Sequence, residues 1–181
     1  MSRHAAVFLS LTLVLIACAG PPTDDYGWHV NGIRVPDEPW RAHDGPFLAL
    51  LFITDDARAL FDFWNTKPGN VPLEPITNTA PGVAAETVVF FVRCQPDPEG
   101  NCDVWGTASI VASDGRIPVN RTEVPLWVGR PPPPGEALGV SEHGVGLVTE
   151  NFAGSYTFYM VVTDRVSGRH VSLVQEVAVV Q

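Results

Sequence analysis

The chain has 181 residues, with 11 Lys and Arg against 20 Asp and Glu, for a formal net charge of −9. Lys67 is its only lysine, which excludes a basic stripe able to bind nucleic acid or an anionic lipid surface by counterion release. Seventeen prolines and sixteen glycines are too many for a helical bundle, but they are spread among apolar runs, which predicts many short strands and turns, not disorder.

Residues 1–17 begin with one firm positive charge, Arg3, and continue as an apolar run from Ala5 to Ile16 with only Ser10 and Thr12 inside it. The run is shorter than the ~20 residues of a stable membrane span and fits an export signal. It ends in Leu15-Ile16-Ala17-Cys18, which resembles the lipobox of bacterial lipoproteins. There the cysteine thiolate takes a diacylglyceryl group, and cleavage frees its amine for a further acyl chain. The resemblance implies a signal peptide over 1–17 and a lipid anchor on Cys18, held stably because more than one chain inserts. An ordinary secretory signal cleaved after Ala19 is the alternative. By resemblance to Gram-negative lipoproteins, Ala19 in place of an aspartate favours the outer membrane, facing the periplasm.

Residues 18–45 read as lipidated cysteine, tether and lead-in, and residues 46–181 as one domain. In the lead-in, Asn31-Gly32 between two short β-prone segments predicts a small hairpin. Pro46 to Thr54 is a dense apolar run and predicts a buried strand. Thr54 or Asp55 is positioned to cap a helix whose Ala57, Leu60, Phe61 and Trp64 form one apolar stripe. Asn65, Pro68 and Gly69 end it. Thr87 to Arg93 and Asp103 to Ala112 predict two strands joined by a loop of turn-forming residues. Cys94 and Cys102 stand at the base of that loop, so a disulfide is expected. Their spacing matches neither a CxxC redox pair nor a zinc site.

Ser113 to Arg116 predicts a turn. Val124 to Val128 predicts an edge strand, since Pro125 has no amide to donate. Pro131 to Gly135 reads as a stiff polyproline loop. Val145 to Thr149 predicts a strand, and Gly154 to Val162 pairs with His170 to Val180 across a turn at Asp164 to Gly168.

The Gly154-x-Tyr156-x-Phe158 start resembles the penultimate strand of immunoglobulin-like domains. The resemblance implies a corner tyrosine at Tyr156 and places Phe158 where antibody domains have a cysteine. The expected fold is a mostly-β, Ig-like antiparallel sandwich with one short helix. The chain also resembles an uncharacterised family of proteobacterial lipoproteins. The resemblance rests on Phe47, Leu51, Ile53, Thr54 and Asp55; on Trp64-Asn65; on Gly100-Asn101-Cys102; and on Gly154, Tyr156, Asp164 and Gly168. It implies fold and location, and no chemistry.

No catalytic constellation, metal site or cofactor is expected. His29, His43, His143 and His170 lack paired ligand spacing. Ser141 and His143 lie two residues apart, but outside a nucleophile elbow, and read as a polar loop. Asp24-Asp25 and Asp55-Asp56 lack the calcium-loop pattern. Trp28, Trp40 and Trp127 are the candidates for ligand or partner contact, though a core or tether-packing role is favoured over a ligand platform; Trp64 reads as core. The sequence therefore predicts a membrane-anchored envelope lipoprotein, non-catalytic and adaptor-like, with an envelope protein partner and no nucleic acid. Loops 66–85 and 129–144 are its expected contact surfaces. The alternatives are a glycan- or small-ligand-binding lipoprotein and, less favoured, a hydrolase.

Overall fold

The computed structural model describes residues 26–30, 33–66, 75–134, 137–150 and 154–181. The expected signal segment and Cys18 lie outside them. Strand is the dominant structure, and two antiparallel sheets pack face to face as the sandwich expected from the sequence. The first sheet contains β3 (Arg41–Asp44), β4 (Phe47–Thr54), β6 (Ala84–Val92), and the short β9 (Gly139–Val140) and β10 (Gly146–Val148). The second runs in the order β5 (Asn78–Thr79), β12 (Arg169–Val179), β11 (Gly154–Asp164), β7 (Cys102–Ala112), β8 (Val119–Arg130). Among the described strands only β5 lies parallel to its neighbour. A separate ribbon pairs β1 (Trp28–Val30) with β2 (Ile33–Val35). These strands flank the expected Asn-Gly turn, whose two residues lie outside the described set. The first sheet reaches back to Arg41, because β3 pairs with β4; residues 41–44 are sheet, where the sequence predicts lead-in.

The strand patterns differ because the sheets are covered differently. Strands β7, β11 and β12 alternate buried and open residues, so each shows one face to the core. Strand β4 is buried at all eight positions. Its Phe47, Ala49, Leu51 and Ile53 enter the inter-sheet core, while Leu50 and Phe52 join a second apolar cluster on the outer face. Strand β6 divides likewise, with Val89 and Phe91 inward and Val88 and Phe90 outward. The helix α1 (Ala57–Thr66), Trp28, Trp40 and Leu138 cover that outer cluster. A run that is apolar at every position thus marks a strand sealed on both faces.

Helix α1 carries the predicted stripe, with Ala57, Leu60, Phe61 and Trp64 all in the outer cluster. Its cap is Asp56, not the expected Thr54 or Asp55: the Ala59 amide donates to Asp56 Oδ1 at 2.8 Å. Thr54 instead accepts the Asp56 amide, and Glu86 of β6 accepts the Ala57 amide. The capping residue is displaced by one because β4 keeps Thr54 in its ladder with Glu86. Asp56→Ala should cost about 1 kcal/mol, seen as a shift in the urea midpoint. An unchanged midpoint would refute the assigned cap.

Cys94 and Cys102 are joined by the expected disulfide. Closing so short a loop contributes about 2–3 kcal/mol on the chain-entropy account. The loop is also held by Asp97, whose Oδ1 accepts the amides of Glu99 and Asn101. Strand β8 forms an edge, as Pro125 predicts, but it is longer than expected and carries three irregularities against β7. Glu123 within it takes a left-handed backbone, φ 58°, and this irregular course blunts the edge against further strand pairing. Tyr156 is buried, and its hydroxyl accepts the Glu150 amide at 3.3 Å, the arrangement of a tyrosine corner. Phe158 fills the inter-sheet core at the position where antibody domains place a cysteine.

At the turn leading to β8, Asp114 accepts the Arg116 backbone amide and pairs with its guanidinium. The amide bond first, and then the guanidinium, hold the Asp114 carboxyl below the usual carboxylate range. Glu150 and Asp114 together raise the Arg116 pKa, so this cation keeps its proton throughout the accessible range.

Candidate functional site

A cleft of about 730 Å³ opens in the described surface. That is within the ~300–1,000 Å³ usual for small-ligand sites. One wall is α1, through Phe61 and Trp64; the other is Trp127, Arg130 and the four prolines 131–134. Strand β9 and the residues beside it make the floor. Each wall is fixed from behind. Trp64 meets Phe90 edge-on at 5.0 Å between centroids, and Trp127 meets Phe91 in the same manner at 5.7 Å. The Trp127 indole donates to the Pro131 carbonyl at 3.0 Å, so the indole and the start of the proline strap hold each other.

Gly139 explains how the strap lies so close to the sheet. A Cβ at this position would come within 2.4 Å of the Phe91 ring and 2.8 Å of Pro133. The bare backbone lets Pro133 and Phe91 approach the same residue from two sides. The charged groups of the cleft form one pair: Arg130 binds Glu142 and also lies over the Trp127 ring, 4.5 Å from its centroid. The pair bridges the end of β8 to the residue two positions beyond β9.

The sequence candidates fall in different places. Trp127 lines the cleft. Trp28 and Trp40, candidates from the lead-in for packing or for partner contact, are partly buried against the outer cluster. Their indoles donate to the Ala42 carbonyl and the Glu38 carboxylate. The reason is the double burial of β4 and β6, whose outer face needs large covers. Trp64, read as core, both covers that face and lines the cleft. Trp105 sits under Arg165, 4.1 Å from its ring centroid, with its indole bound to Asp103.

Ser141 and His143 do not form a nucleophile–base pair. Ser141 is 1% exposed, and its hydroxyl accepts the Val89 amide at 3.1 Å. His143 opens onto a second, smaller cleft of about 430 Å³ beside Arg121 and Glu123. Asp55 and Asp56 belong to the helix start, and Asp24-Asp25 lie outside the described residues. Among the described residues no three His, Cys, Asp or Glu side chains gather as metal ligands. Also among these residues, no helix is long and apolar enough to cross a membrane.

No protein family matches the chain, and neither does any curated protein. Among solved structures, a family 123 glycoside hydrolase from Clostridium perfringens is similar at a TM-score of 0.40 and 11% identity. The match covers 74% of this chain and 27% of that one, so this chain spans about a quarter of that protein's length. A likeness at this level carries nothing about chemistry. What the fold and the site define together is an antiparallel β-sandwich with an aromatic- and proline-walled cleft beside its helix.

Proposed function

We propose that this is a lipid-anchored lipoprotein of the bacterial envelope that acts by binding, as an adaptor, and not by catalysis. The observation that carries the reading is the cleft between α1 and the proline strap. Its walls are rings held rigidly from behind, and its charged groups neutralise one another. Such a site supplies shape and apolar area to an occupant. Its one hydroxyl of catalytic type, on Ser141, is buried and engaged with the backbone.

The anchor is supported by the run ending at Cys18 and by the disulfide, which suits an oxidising compartment. Cys18→Ser should move the protein almost completely from the membrane to the soluble fraction of cells. Retention of the variant in the membrane would refute the lipid anchor. For the cleft, a photo-crosslinking residue at Leu138 should capture an envelope component in living cells, while the same residue at Ser172, on the second sheet, should not. Equal capture from both positions, or none from either, would refute binding at the cleft. A protein partner, which the sequence reading favours, would register as an adduct of discrete mass.

A further inference from the structure

We infer that the domain stands on the membrane by the end that carries the Cys94–Cys102 loop, held there by a tether too short to let the opposite end turn toward the lipid. The inference rests on the lipid anchor proposed above and adds which surface that anchor keeps against the bilayer. Residues 19–25, seven in all, separate Cys18 from Tyr26. Fully extended, the link from Cys18 to Tyr26 spans at most about 28 Å.

Tyr26 starts the domain at a defined corner. The Arg93 guanidinium lies over its ring, 5.8 Å from the centroid, and the Trp28 indole two residues on donates to the Ala42 carbonyl of β3. Arg93 directly follows β6, whose Val92 pairs with Leu48 at the start of β4. The start of β7, the end of β8 and the β11–β12 turn lie at this same end, because Cys102 pairs with Arg130 and Val104 with Asp164. The opposite end holds Ala112 beside Tyr156, Thr54 beside Glu86, and the close of β12 at Val179. Strands β7, β11 and β12 each run 11 residues, which separates the two ends by about 35 Å.

Turning the far end to the lipid would lift Tyr26 by about 35 Å, beyond the reach of the tether. The surface chemistry of the two ends agrees with the upright placement. The near end is built from residues 95–101 and 165–168, polar, charged, proline or glycine in all but Val166, and such loops suit a hydrated headgroup layer. At the far end Ile117, Val148 and Val180 are each more than half exposed, a surface less suited to that layer. A flank laid flat is within the tether's reach but gains nothing: the chain carries −9, and anionic headgroups repel it. The α1–strap cleft then lies in the half near the membrane, since its Trp64 and Trp127 pack on Phe90 and Phe91 close to the end of β6.

To test this, the lipidated full chain is reconstituted in vesicles of phosphatidylethanolamine and phosphatidylglycerol whose headgroups carry an acceptor dye. A donor dye is placed, one position at a time, at Val166 of the near end, Tyr159 on the open face of the second sheet, or Ile117 of the far end, all exposed. Energy transfer to the lipid should be several-fold stronger from Val166 than from Ile117, with Tyr159 between them. Inserting about twenty Gly and Ser residues after Thr23 extends the tether's reach past the height of the domain and should bring that ratio toward unity. Transfer as strong from Ile117 as from Val166 overturns the inference, and strongest transfer from Tyr159 overturns it by laying the domain on its flank. A ratio unchanged by the longer tether overturns it too, since the orientation would then not come from the tether. A chain that does not float with the vesicles removes the lipid anchor and this inference together; one that floats without the expected ratio removes the orientation alone.

Discussion

Asp164→Ala is expected to lower the stability of the domain by about 3 kcal/mol, the upper end of the range for removing one buried acceptor. Asp164 is fully buried at the end of β11. Its Oδ2 accepts the Gln95 amide at 2.8 Å and the Ser167 hydroxyl at 2.6 Å, and its Oδ1 accepts the Val166 amide at 3.2 Å. Alanine would leave those three partly buried donors without their acceptor, and a hydrogen bond left unmade in such a place costs more than a made one contributes. The residue also joins two parts of the chain that the disulfide does not connect. Gln95 belongs to the Cys94–Cys102 loop, and Val166 and Ser167 belong to the β11–β12 turn. The variant should therefore show faster amide exchange at Gln95 and Val166, beyond a lower denaturant midpoint. Asp164→Asn, which keeps one carbonyl acceptor, should recover part of the loss. A midpoint indistinguishable from that of the parent would show that the carboxylate does not tie the two turns.

The second large effect is expected at Gly144. A Cβ there would lie 2.2 Å from the Thr87 backbone carbonyl oxygen. Backbone cannot swing aside as a long side chain can, so alanine must push the segment off β6. Two bonds hold the segment there now: Val145 N–H donates to Thr87 Oγ1 at 2.8 Å, and Thr87 N–H donates to the Val145 carbonyl at 2.9 Å. Gly146 is similarly tight, with its Cβ position 2.7 Å from the Ala85 carbonyl oxygen. Gly144→Ala should thus cost about 3 kcal/mol through forced displacement of the edge. The same change should abolish exchange protection at the Val145 amide while leaving β11 and β12 protected. Preserved protection at Val145 would mean that the close approach is not required for folding.

The two effects illustrate what a local reading can reach. Asp164 looks like an ordinary turn residue in the sequence, within the Asp164 to Gly168 segment that reverses the chain. It does make that turn, with the Gly168 amide donating to its carbonyl. Its second role depends on residues 69 positions away in the chain, and no periodicity or spacing encodes that separation. Gly144 and Gly146 likewise read as loop glycines, because a close approach to another strand leaves no mark on neighbouring residues.

The tryptophans show the same division. Trp64 is assigned correctly to an apolar stripe, since helical spacing is a property of neighbours. Its second surface, in the cleft, exists only because β8 and the strap are brought opposite α1. Trp28 and Trp40 show it too: position in the lead-in leaves open whether they pack or meet a partner, and the outer face of β4 and β6 takes them as cover. The continuous apolar runs in those two strands do hold the clue, for a strand buried on one face only would alternate.

By itself the sequence determined the strand-rich class, a short helix, the disulfide hairpin and the proline-marked edge. Each depends on residue identities within a few positions of one another, where side-chain period, turn chemistry and loop closure act directly. Tertiary structure alone decided which sheet would be covered on both faces. It also decided that a buried aspartate would join two turns, and that Trp64 and Trp127 would line one cleft. Those outcomes arise from contacts between distant segments, whose geometry is set by how the two sheets and their cover pack as a whole.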